Sequence, residues 1–176
     1  MPNALHPYLR RLAFLIPFLT LPLLRVQAAL DQDDILTKLS PAQIEAQLPD
    51  ASPISYYFYA ERLMKAGDNP DALRWFYVGQ LRLRIFLQAQ PGQDISPLRA
   101  LNESIGRPIN QYGAHHQDEW LAAIDGALAW DAAHDNALTP KQQFSKIYAA
   151  QRDSLEKFKD FIRSHSQQIE AGATGH

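Results

Sequence analysis

The residues nearest to reactive chemistry lie between positions 115 and 119: His115, His116, Asp118 and Glu119. Two neutral imidazoles and a carboxylate can hold a zinc ion. If a helix begins near Ala114, His115 and Glu119 share a face at i, i+4, and His134-Asp135 could supply a further ligand. On that reading the chain is a metal-dependent hydrolase with His115, His116 and Glu119 as its metal candidates. The competing reading is plain: adjacent histidines at an exposed helix start. The metalloprotease spacing, two histidines four apart with glutamate beside the first, is absent.

Other reactive chemistry has less support. The chain has no cysteine, which excludes a disulfide framework, a thiolate zinc site and a cysteine nucleophile. No serine lies in a Gly-x-Ser-x-Gly elbow, and neither a P-loop nor a Gly-x-Gly-x-x-Gly sequence occurs. Acids such as Glu103 and Asp125 could pair for glycoside cleavage, but acids are common on any solvated helix face. A binding protein is therefore expected rather than an enzyme, with no cofactor.

Two groups of residues are candidates for binding a partner. Arg82 and Arg84 interrupt the apolar run from Leu73 to Leu87. At 100° per residue they point about 200° apart, so they cannot form one patch. One of them could anchor an anionic group in a groove lined by Tyr57, Trp75 and Tyr77. Alternatively, each pairs with a carboxylate or runs its stem along the core with its head in water. The second group is Arg107, Asn110 and Tyr112, in the stretch 105–114. Its glycines, proline and amides suggest a loop that either binds a partner or merely connects and caps helices.

These residues need elements to position them. Five dipeptides divide the chain: Ser40-Pro41, Ser52-Pro53, Asn69-Pro70, Ser96-Pro97 and Thr139-Pro140. A side-chain oxygen before a proline suits a helix start, because proline has no N–H to leave unpaired in the first turn. Gly67, Pro91-Gly92, Gly106 and Gly172 read as stops. The pattern predicts helices near 41–48, 53–66, 70–90, 97–105, 117–133 and 140–170. In the last of these, Phe144, Tyr148, Gln151, Leu155, Phe158, Ile162, His165 and Ile169 recur at alternating spacings of four and three, the period of a packing seam.

The stretch Tyr56 to Leu87 carries a resemblance. Tyr56, Tyr59, Ala60 and Leu63, then Gly67-Asp68, then Ala72, Phe76 and Gly79, resemble the offsets of a tetratricopeptide repeat. Ala72-Leu73-Arg74-Trp75-Phe76 after Ala-Gly is also similar to the Sel1-like repeat. The resemblance covers one repeat and implies a helical hairpin with a protein- or peptide-binding role. No second copy follows at a fixed period, so the hairpin is expected to sit inside a bundle.

The first 28 residues read as a secretory signal peptide. His6, Arg10 and Arg11 form a basic start, Leu12 to Leu24 an apolar run, and Val26-Gln27-Ala28 the cleavage pattern. The run is shorter than the ~20 residues that span a bilayer, so stable membrane insertion after cleavage is not expected. Residues 1–28 hold three arginines and no acid. Their removal leaves 14 basic against 19 acidic residues, and net charge moves from −2 to −5. Such a balance disfavours nucleic acid.

The expectation is thus an exported, periplasmic, all-α single domain over residues 29–171. It would have five or six helices around the hairpin, a long C-terminal helix and a disordered tail from 172 to 176. Its expected role is binding a protein, as an accessory or immunity-type partner of a secreted one. The alternatives are the hydrolase above and a carrier of a small apolar or aromatic ligand in a Tyr/Trp-lined cavity.

Overall fold

A computed structural model of the chain describes residues 31–174. The expected signal peptide and the last two residues of the expected tail lie outside these. The described residues contain eight α-helices and no strand: α1 Pro41–Gln47, α2 Pro53–Lys65, α3 Asn69–Ala89, α4 Ser96–Leu101, α5 Arg107–His115, α6 Gln117–Ala133, α7 Lys141–Ser164 and α8 Ser166–Thr174. Short π-helical turns, Asp34–Lys38 and Asn102–Gly106, precede α1 and α5. The domain is all-α, and none of these helices is long and apolar enough to cross a membrane.

Helix α3 is the centre. It packs most extensively on α2, then on α6, α7 and α5. From Ala72 to Ile85 almost every side chain is buried, because the sequence is apolar on all sides of the helix. Tyr56, Tyr57, Tyr59 and Ala60 of α2 close one side of it, and Trp120, Ile124, Ala127 and Leu128 of α6 close another. The α2–α3 pair is thus a helical hairpin.

Gly79 sets the distance between α2 and α3. A Cβ there would meet Tyr56 Cβ at 2.9 Å and the Tyr57 ring at 3.2 Å. Tyr56 Cβ is fixed to the backbone and cannot rotate away. Gly79→Ala would gain about 1 kcal/mol of helix propensity against about 1–3 kcal/mol of overpacking. Because the clash is with a fixed atom, overpacking should win. A net loss of up to about 2 kcal/mol is expected in urea unfolding.

The polar heads of α2 tie down the segment before it. Arg62 donates to the carbonyls of Ile35 and Leu39, Tyr56 to that of Leu48, and Tyr59 to Glu45. Burial of the Tyr56 phenol pushes its pKa up, so it remains a neutral donor.

Helix starts follow the prolines, but the capping atoms often come from elsewhere. Ser40 forms a reciprocal capping box with Gln43, and Ser52 accepts from Ile54 N–H. The residue before α3 is Asp68, and Asn69 is already helical. At α7, Thr139 instead shares its hydroxyl with Tyr148, and Asp135 Oδ1 accepts from Lys141 N–H at 2.9 Å. That bond and a second from Asn136 N–H hold the Asp135 carboxyl below the usual carboxylate range.

Three expected boundaries are corrected. The stretch 105–114 is helical, not a loop. Its Gly106 and Gly113 permit close packing: an added Cβ would lie 2.9 Å from the Phe76 ring and 2.8 Å from the Trp120 ring, respectively. The predicted helix 140–170 is two helices, broken at His165 and offset again near Phe144, whose backbone is non-helical. The final helix continues past Gly172 to Thr174.

Candidate functional site

The histidines do not assemble a metal centre. Among the described residues no three His, Cys, Asp or Glu side chains converge to hold an ion. The reason is local. The chain breaks at His116, which ends α5 and immediately precedes α6, so His115 and Glu119 are not on one continuous helix. His116 stacks on Tyr112 at 4.0 Å, and its Nδ1 lies 2.9 Å from the Tyr112 carbonyl. Glu119 accepts the Tyr112 hydroxyl at 2.6 Å.

The same device recurs twice. His134 stacks on Trp130 at 4.2 Å and reaches its carbonyl at 2.8 Å. His165 stacks on Phe161 at 4.3 Å and reaches its carbonyl at 3.0 Å. In each case the aromatic residue stands four before a histidine that ends its helix. A carbonyl only accepts, so the tautomer protonated at Nδ1 makes each contact a hydrogen bond; Nδ1 of His165 also lies 2.9 Å from the Ser164 hydroxyl. These histidines satisfy helix C-termini. The readable signal was an aromatic four residues upstream.

The arginines divide as their opposite directions require. Arg82 is fully buried. Its Nε lies 2.8 Å from Asp131 Oδ1, an ion pair in contact although too bent for a hydrogen bond. Its terminal nitrogens donate to the carbonyls of His134 and Asp135, and its guanidinium lies over Trp130 and Tyr148. Asp131 Oδ2 accepts from Arg152 at 2.9 Å. This network joins α3, α6 and α7 inside the core, so Arg82 is not available to a partner. Tyr57 and Trp75 are also fully buried. They pack against Phe76, Tyr56, Tyr59 and Trp130, and no groove wall is made of them.

Arg84 faces outward and opens onto a cleft of about 530 Å³ between α3, α5 and α7. Helix α3 brings Phe76, Gln80 and Arg84 at spacings of four, with Tyr77 beside them. Helix α7 supplies Leu155 and Phe158 at one level and Ser154 and Lys157 at the rim; α5 supplies Asn110. Tyr77 and Phe158 stack at 6.1 Å, giving the cleft an aromatic floor. Trp120 donates its indole N–H to the Tyr77 hydroxyl at 2.8 Å, and that hydroxyl donates to Asn110 Oδ1 at 2.9 Å. An indole can only donate, so this relay fixes the Asn110 oxygen inward and leaves its N–H₂ without a protein partner. Burial pushes the Tyr77 phenol's pKa up, which keeps the relay neutral.

Of the remaining candidates, Arg107 pairs with Glu103 one turn earlier. With Asn110, Gln111 and Ile169 it lines a second open cleft, of about 540 Å³, between α5 and α8. Tyr112 is engaged with His116 and Glu119. The structure therefore brings Tyr77, Arg84 and Asn110 together at one cleft, and Tyr57, Trp75 and Arg82 do not line it. Gln80, Ser154 and Lys157 were not singled out in the sequence, and Phe158 stood out only as part of the packing seam.

No family model matches the chain, and no solved structure does. An uncharacterized protein of Haemophilus influenzae is 28% identical over 85 residues, which cover 47% of this chain and 34% of that protein. The match thus spans about a third of the relative's length.

Proposed function

We propose that this chain is an exported helical module that binds another protein, as an accessory or immunity-type partner of a secreted one, and that it does so at the cleft between α3, α5 and α7. The observation that carries the reading is the cleft's composition. Arg84 and Lys157, an aromatic floor and unused polar groups meet where three helices converge. The hairpin's resemblance to a protein-binding repeat and the leader-like first 28 residues point the same way.

A photo-crosslinking amino acid at Ser154, on the cleft rim, tests it in cells. A discrete adduct with one protein is expected there, and none from the same group at exposed Lys65 on α2. Equal adducts at both positions, or none at Ser154, would overturn the reading. Export is read separately: residues 1–30 fused to a reporter active only outside the cytoplasm should switch it on.

A further inference from the structure

This inference rests on the binding role proposed above and names the chemistry of what is bound. Residues 29–176 carry more acids than bases, yet no residue lining the α3–α5–α7 cleft is acidic. Two lining residues are cations, and they differ. Lys157 is held by Asp153 at 2.7 Å. Arg84 makes no hydrogen bond or ion pair; among the described residues it shares that state only with Arg99 and Lys146, neither of which lines the cleft. Most other surface cations among the described residues are partnered within their own helices, as in Lys38–Asp34, Lys65–Glu61 and Arg163–Asp160.

The groups around Arg84 do not offset its charge. The phenols of Tyr57 and Tyr77 lie within its field, and burial keeps both neutral. Two unused groups beside Arg84 can donate: the Asn110 N–H₂, left over by the tyrosine relay, and the Ser154 hydroxyl. A guanidinium and N–H donors above stacked aromatic rings suit a carboxylate attached to an apolar body, since the guanidinium fork matches the two carboxylate oxygens.

The cleft is partly open to solvent, whereas sites for free small molecules enclose most of the ligand. A segment of a larger partner gains its remaining contacts outside the cleft and needs no such enclosure. We propose that the cleft takes a segment of a partner protein in which an Asp or Glu stands beside an aromatic or large aliphatic residue. Arg84 holds the carboxylate, Asn110 N–H₂ adds a second bond, and the apolar side chain lies on Tyr77 and Phe158.

The test uses ¹⁵N-labelled protein expressed from the full-length chain and two blocked peptides, acetyl-Phe-Asp-Phe-Asp-amide and its isosteric asparagine counterpart. The acidic peptide should move the Arg84 Nε–H and Asn110 side-chain resonances and bind about tenfold or more tightly than the amide peptide. Arg84→Gln should reduce the acidic peptide to the amide peptide's affinity. Arg84 is exposed, and an unchanged spectrum elsewhere will confirm that the variant folds. Equal binding of both peptides in the cleft, insensitive to Arg84→Gln, would overturn the carboxylate inference while leaving the cleft as a protein-binding site. Shifts mapping to Arg99 or Lys146 instead would overturn it in favour of another surface. No shift with either peptide at millimolar concentration would overturn both the inference and the reading it rests on.

Discussion

Asp131→Ala should be among the most damaging substitutions in this protein. It removes the counter-charge of Arg82, a guanidinium with no exposed surface that cannot lose its proton. Breaking a buried pair by deleting one partner typically costs about 3–5 kcal/mol. For a domain of this size that is a fall of about 10 °C or more in Tm. The effect should be asymmetric. Arg82→Met leaves Asp131 still bonded to Arg152, whereas Asp131→Ala strands a cation that has nowhere to go. Arg152 is a third exposed and can turn toward water. The double variant Arg82→Met/Asp131→Leu should recover much of the loss, because a buried ion pair replaced by apolar groups is often close to neutral. Thermal unfolding of the three variants checks the order. Arg82→Met more damaging than Asp131→Ala would show that the carbonyl and aromatic contacts of Arg82 matter more than its charge partner.

Trp75→Ala should cost a similar amount, about 3–5 kcal/mol, through a cavity rather than a charge. Trp75 is fully buried and meets Tyr56, Tyr59 and Trp130 at ring-centroid distances of 6.1, 5.4 and 5.2 Å. It therefore joins α2, α3 and α6. Trp75→Phe tests the mechanism. The indole Nε1 has no hydrogen-bond partner, so a phenyl ring loses area without losing a bond, and the cost should be roughly half that of the Ala variant. A Phe variant as unstable as the Ala variant would mean that packing shape at this position, not buried area, sets the stability. Urea unfolding of both gives the comparison.

The architecture was legible where the cause is local. Proline after a small polar residue marked helix starts, because a missing N–H costs nothing in a first turn. The all-round apolar character of Leu73 to Leu87 marked the central helix, because no surface helix can carry it. What failed had a non-local cause. Gly106 and Gly113 looked like loop residues, but they are needed by rings arriving from Phe76 on α3 and Trp120 on α6. Thr139 looked like a cap, but Tyr148 engages its hydroxyl and Asp135 supplies the cap across the turn.

The candidate site was legible only in fragments. The opposed directions of Arg82 and Arg84 follow from helix geometry, and one indeed faces the core and the other solvent. Which was which depended on Asp131, almost fifty residues along the chain. The cleft depends on how α7 lies against α3, since Phe158 reaches Tyr77 only through that packing. No residue of α7 carries a local mark of this, so Ser154 and Lys157 read as ordinary surface.

The aromatic–histidine endings of α5, α6 and α7 bear on how freely this chain can vary. Each stop sign is written within five consecutive residues and needs neither a left-handed glycine nor a distant neighbour. Between α5 and α6, and between α7 and α8, that one histidine is the whole joint, and of the three only α6 is followed by a longer connector. There Asp135 caps α7 and the His134 and Asp135 carbonyls hold Arg82, so room for an insertion lies after Asn136, where it would leave the ending of α6 untouched. Punctuation of this kind lets a small bundle diversify at its joints while its core stays in register.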